Sequence, residues 1–212
     1  MFDFLRTLLD IILPRKERVV RIDTYTVEDL ELSPTEHHAC GMQITTLMSY
    51  KTRAVEDLIR ALKYDHAGHA GVLLAEALAE YLREEIAHMK LYSALPVVLV
   101  PVPLHKNRLR ERGFNQIQAV LEKLPDEFRN GTVSKIISDV LVRTRDTAQQ
   151  TKLSRKERLT NVTDAFALAK PEMLKNTNII LIDDVTTTGA TLAEAARPLG
   201  NDSISLLALA HA

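Results

Sequence analysis

The stretch IILIDDVTTTGATL, residues 179–192, joins an unbroken apolar run, two adjacent carboxylates and a turn rich in amides and hydroxyls. Residues 179–182 have no polar interruption, so they read as a strand covered on both faces, as in a parallel α/β sheet. Asp183 and Asp184 fall at its carboxyl end, the edge where open α/β sheets take their ligands. The turn Thr186, Thr187, Thr188 and Gly189 leads through Ala190 into a helical pattern over 191–199. Backbone N–H groups and the helix dipole favour a phosphate there. Gly189 lets the backbone turn without a Cβ penalty, and Thr186, Thr187, Thr188 and Thr191 add hydroxyl donors. Acids beside such a nest would repel the phosphate itself, so Asp183 and Asp184 suit sugar hydroxyls or a divalent cation. The bland alternative is a strand followed by a helix whose acidic start only complements the dipole.

Outward from this stretch, the chain alternates strands and helices. Residues 53–64 and 71–90 carry apolar residues at three-to-four spacing and predict two helices. PVVLVPV, residues 96–102, is a second apolar run whose branched residues predict a buried parallel strand despite its prolines. A basic loop follows it, then helical spacing through Ile117, Val120 and Leu121, which makes one βα unit. Weaker strands are expected at 133–137, 139–143 and 165–169, and a final strand at 203–210. The pattern predicts an α/β fold with a doubly wound, mainly parallel sheet. Residues 1–13 place Phe2, Leu5, Leu8, Leu9 and Ile12 at helical spacing, an amphipathic helix ended by Pro14. Residues 14–41 show no clear period and read as irregular or weakly β-structured, so 1–44 are expected to form an N-terminal helical and irregular appendage to a domain over 45–212.

With 212 residues, 46% of them hydrophobic, the chain can bury a full core. A formal net charge of −1 gives no global attraction to nucleic acid or membrane, so an anion site must come from local clustering. The single cysteine excludes an intramolecular disulfide. The apolar start carries Asp3, Arg6 and Asp10 and lacks a small-residue cleavage site, which argues against a signal peptide. No apolar run approaches the roughly 20 residues that span a bilayer. A cytoplasmic protein without membrane insertion is expected.

Two basic regions supply the clustering. LHKNRLRERGFNQ, residues 104–116, carries Lys106, Arg108, Arg110 and Arg112 where the second apolar strand ends. If both strands share one parallel sheet, this loop faces the same crevice as the acids and suits a pyrophosphate. A solvated basic turn or a nucleic-acid patch is the alternative. Further along, residues 141–162 hold Arg143, Arg145, Gln149 and Gln150 in a long polar stretch suited to a lid, or else to a plain surface loop.

The stretch 179–192 resembles the 5-phosphoribosyl-1-pyrophosphate (PRPP) loop of type I phosphoribosyltransferases. Three motifs in order, PVPLHKNRLRERGFNQ at 101–116, RTRDTAQQTKLSRKERLTNVTDAF at 143–166 and IILIDDVTTTGATL at 179–192, are similar to the ComF/GntX family of phosphoribosyltransferase-like proteins. SYKTRAVEDLIRALKY, residues 49–64, resembles that family's lead-in helix, and the likeness covers roughly 45–212. The resemblance implies the type I phosphoribosyltransferase fold and a pentosyltransferase activity linked to competence and DNA uptake. In type I phosphoribosyltransferases the paired acids hold the ribose hydroxyls and the turn grips the 5′-phosphate. It therefore implies Asp183, Asp184 and Thr187 as catalytic residues, with Mg²⁺ carried mainly through PRPP and touching Asp183 and Asp184. Thr186, Thr188, Gly189, Ala190 and Thr191 would hold the phosphate, and Lys106, Arg108, Arg110 and Arg112 the pyrophosphate. Thr187 stands where some purine-specific relatives carry an aspartate, so the nitrogen acceptor is unspecified.

Two functions stay open: transfer of the phosphoribosyl group, or noncatalytic sensing of PRPP or a nucleotide by a partner of the DNA-uptake machinery. Direct nucleic-acid binding is disfavoured, because a 5% aromatic content leaves few stacking platforms. Many members of the family carry a cysteine-rich zinc module at the front. Here only Cys40, His37 and His38 stand close together, with poor spacing for one metal, so no zinc site is expected.

Overall fold

The computed structural model describes residues 17–64, 68–145, 164–200 and 203–212. The expected helix over 1–13 lies outside them. Eight described strands occur in chain order: β1 (Thr35–Ala39), β2 (Met42–Ser49), β3 (Val97–Pro101), β4 (Lys135–Ile136), β5 (Leu141–Arg143), β6 (Phe166–Leu168), β7 (Asn178–Thr186) and β8 (Ile204–His211). Six of them form one sheet in the order β1-β2-β8-β7-β3-β4, parallel except for β1. The architecture is α/β with a mainly parallel sheet, and β5 and β6 form a separate antiparallel ribbon.

The apolar runs sit at the centre because they are buried on both faces. On β7, Ile180 and Ile182 face the same side as Leu99 of β3 and Leu207 of β8, while Ile179 and Leu181 face the other with Val98, Val100 and Leu206. That alternation is the two-residue period of a strand. The first side is covered by α1 (Glu17–Ile22), α2 (Arg53–Tyr64), α3 (Gly68–Tyr92) and, beyond a short helix at 106–112, α5 (Gln116–Leu121). The second side is covered by α7 (Ala190–Ala196) and the β5–β6 ribbon. Val55, Leu58, Ile59 and Leu62 form the buried stripe of α2, as their spacing predicts. Pro101 is tolerated in a central strand because β4 pairs only with Val98 and Leu99, so no partner asks for its missing N–H.

The N-terminal region is more ordered than the irregular or weakly β-structured appendage expected over 14–41. Arg21 donates to Asp57 of α2 at 2.9 and 3.0 Å, Tyr25 donates to the same carboxylate at 3.1 Å, and Ile22 and Leu30 are buried in the core. β1 and β2 make a hairpin whose tip, Cys40 and Gly41, has φ of 54° and 76°. Positive φ at both central residues matches the twist of the strands it joins. The boundary drawn between 44 and 45 passes through β2, which pairs in parallel with β8. The β-structure read there as weak is this hairpin, and its signal is faint because β1 lies on the sheet's edge with one solvated face. Among the described residues no helix is long and apolar enough to cross a membrane.

The hairpin tip reaches the turn after β7. Gly189 has φ of 73°, and a Cβ built there would lie 2.5 Å from both Ala39 Cβ and Ile44 Cδ1. Gly189→Ala therefore combines left-handed strain with overpacking and is expected to cost about 2 kcal/mol in urea unfolding. A loss below about 0.5 kcal/mol, the size of an ordinary surface substitution, would contradict this packing.

Candidate functional site

β3 and β7 are parallel neighbours, with Pro101 opposite Ile182. From β3 the chain moves through α4 (Lys106–Arg112), α5 and α6 (Asp126–Arg129) to β4 on one side; from β7 it moves through α7 to β8 on the other. Where neighbouring parallel strands send the chain in opposite directions, their carboxyl ends open a crevice. A cleft of about 260 Å³ lies there, walled by Val102, Pro103, Leu104 and Ile117 and bordered by Asp183, Asp184, Thr187 and Thr191.

β7 continues through the acids to Thr186, with Asp183 opposite Ala208 and Thr186 opposite His211. Consecutive strand residues leave opposite faces, and Asp183 and Asp184 both line the cleft at the strand end. Asp183 Oδ1 accepts from the Asp184 N–H at 2.9 Å, and Asp184 Oδ1 accepts from the Val185 N–H at 2.7 Å. Asp184 Oδ2 meets Lys63 Nζ at 2.5 Å. Burial, then the neighbouring Asp184 charge, push the Asp183 carboxyl up to about 7, against its backbone hydrogen bond and the cations Lys63 and Arg143. Burial works to lower the Lys63 ammonium, but Asp184 and Asp183 outweigh it and hold it above its ordinary value.

The expected basic loop is a short helix. The His105 ring accepts from the Asn107 N–H and caps the start of α4, and Gly113, with φ of 82°, closes it. Arg108 and Arg112, four residues apart, lie on the face that lines the cleft; Lys106 and Arg110 are exposed and lie off it. The helical period thus divides the four cations named for pyrophosphate into two pairs. Gln116, 2% exposed, accepts from the Arg112 guanidinium at 2.9 Å, and Asn115 donates to the Val102 carbonyl at 3.0 Å. These bonds tie the helix to the strand end. Arg143, at the end of β5, lines the cleft with its guanidinium 5.3 Å from the Phe166 ring centre. Arg145 is exposed and off the lining. Gln149 and Gln150 lie outside the described residues.

The threonine turn is partly closed on itself. The Gly189 N–H donates to Thr186 Oγ1 at 3.2 Å and the Ala190 N–H to Thr188 Oγ1 at 3.5 Å. Thr186, Gly189 and Ala190 are buried, and the turn's border on the cleft is formed by Thr187 and Thr191. A phosphate reaching the amides of 189 and 190 would displace two of the chain's own hydroxyls.

Sequence reasoning placed Lys63 only in a lead-in helix and gave it no role. A signal was present: Val55, Ile59 and Lys63 are spaced by four, so the lysine extends an otherwise buried stripe.

The Asp183 proton makes stability depend on pH. Between about pH 4 and 7 the folded chain holds a proton that an unfolded aspartate has released, so this group's contribution to stability falls as pH rises through that window. In EDTA, Asp183→Asn is expected to melt above the parent at pH 8, with the difference shrinking toward pH 4. A difference that is the same at both pH values would contradict a raised carboxyl.

No protein-family model matches the chain. It is 30% identical over 194 residues to the DNA utilization protein YhgH of Escherichia coli K12, covering 86% of this chain and 81% of that protein. It is 32% identical over 159 residues to competence protein F of Haemophilus influenzae, covering 73% and 67% respectively. It is 33% identical over 158 residues to competence protein ComFC of Bacillus subtilis, covering 74% of this chain and 53% of that one. The chain belongs to the ComF family.

Proposed function

We propose that the protein binds PRPP in the cleft between β3 and β7 and transfers its 5-phosphoribosyl group to a nitrogen acceptor, in a process of competence or DNA uptake. The type I phosphoribosyltransferase fold is part of this reading. The observation that carries it is the facing of Asp183 and Asp184 by Arg108 and Arg112 across one cleft at the sheet's switch point. Relatives named for DNA utilization and competence support the process.

In this reading Asp183 and Asp184 accept hydrogen bonds from the ribose hydroxyls, and the amides of 186–191 hold the 5′-phosphate after Thr186 and Thr188 let go. Arg108 and Arg112 take the pyrophosphate, where charge builds as the bond from C1 to oxygen breaks. The acceptor nitrogen bonds to C1, and its proton leaves with the pyrophosphate. The apolar wall of Val102, Pro103, Leu104 and Ile117 limits the entry of water to the cation-like sugar. Both Asp184 oxygens are engaged by the chain itself, so the acids fit Mg²⁺ chiefly through a ligand's oxygens. When bound, Mg²⁺ would offset charge on the diphosphate.

Sensing without catalysis is the second reading. One observation favours it: among the described residues lining the cleft, Asp183 and Asp184 are the only acids and no histidine joins them, while Thr187 offers a hydroxyl alone.

PRPP affinity with Mg²⁺ is expected to fall at least about tenfold in Asp183→Asn and in Asp184→Asn, equivalent to about 1.4 kcal/mol. Unchanged affinity in both variants would remove the proposed site. With binding secured, pyrophosphate release against a panel of bases and amines separates the two readings: release with one acceptor supports transfer, and none with any supports sensing.

A further inference from the structure

Lys63 stands apart from the cations assigned to the ligand, because its partner is one of the acids. It projects from the last turn of α2, and the packing of Val55 and Ile59 against the sheet fixes where that turn ends. Its Nζ lies 2.5 Å from Asp184 Oδ2, with the two side chains 19% and 18% exposed. The other Asp184 oxygen accepts from the Val185 N–H. Asp184 is therefore satisfied by its own chain before any ligand arrives.

A divalent cation meets three obstacles here. Mg²⁺ needs oxygen ligands at about 2.0–2.1 Å, and the Lys63 ammonium already occupies the Asp184 oxygen that faces it. Among the described residues no group of three or more His, Cys, Asp or Glu stands together to compensate. Lys63, Arg108, Arg112 and Arg143 also border the cleft, four cationic side chains that repel a free dication and attract a polyanion.

We propose that Lys63 is a positioning residue, the resident counter-ion of Asp184, which keeps free divalent metal off the acid pair. The exclusion of free metal does not rest on the PRPP reading above.

The test uses Mn²⁺ alone as the probe, added to the ligand-free full chain at pH 8 and followed by the paramagnetic resonance of the unbound ion. The parent is expected to show no site that fills below about 1 mM. Lys63→Met and Lys63→Gln should each gain one site at least about tenfold tighter than any in the parent, because a charge pair at this distance is worth more than that factor. Adding Asp184→Asn to either variant should abolish the gain, and Lys63→Arg should keep the parent's behaviour. Neutral variants that bind Mn²⁺ no better than the parent would overturn the proposal. So would a tight parental site that Asp184→Asn removes. PRPP is absent throughout, so failure here is separate from failure of the PRPP affinity measurement.

Discussion

The site depends on the pairing of β3 with β7. These strands are parallel neighbours, and the chain leaves one toward β4 and the other toward β8, so their carboxyl ends cannot be covered by a shared connection. The paired acids come from one strand end and the arginine helix from the other. Val102 extends the pairing through its N–H to the Ile182 carbonyl at 2.8 Å, and Asn115 then fastens α5 to the Val102 carbonyl. Each bond transmits the register of the sheet to the cleft, whose lining includes both Arg112 and the acids.

That placement carries an electrostatic burden. Two adjacent carboxylates on a half-buried strand end repel each other, and the protein answers in three ways: backbone N–H groups donate to each, Lys63 pairs with one, and the other is pushed toward its neutral form. A core built only for stability would place apolar residues there, as β7 does at Ile180 and Ile182. The apolar pattern of β7 breaks at its carboxyl end, as expected where a constraint other than stability acts.

Much of this was legible in the sequence, for physical reasons. The unbroken runs at 97–100 and 179–182 are long enough and branched enough to signal buried strands, and the spacing of α2 and α3 signals their buried faces. β1 is legible only as weak β-structure, because TEHHA places polar residues on an edge strand and carries no apolar stripe. The four cations of 106–112 were read as one loop, whereas helical geometry points Arg108 and Arg112 into the cleft and leaves Lys106 and Arg110 outside. The Lys63 to Asp184 pair spans 121 positions of sequence, a separation that local pattern cannot bridge. Threonines read as phosphate donors turn out to include two, Thr186 and Thr188, that first serve the turn itself.

The proposed function requires one cleft to hold the two ends of a phosphoribosyl diphosphate on different elements. Nuclear magnetic resonance of the isotopically labelled chain, titrated separately with ribose 5-phosphate and with pyrophosphate, addresses it most directly. Ribose 5-phosphate is expected to shift the amides of Thr187 and Thr191, and pyrophosphate the guanidinium signals of Arg108 and Arg112. Both probes moving the same set of signals, or moving none that border the cleft, would contradict it.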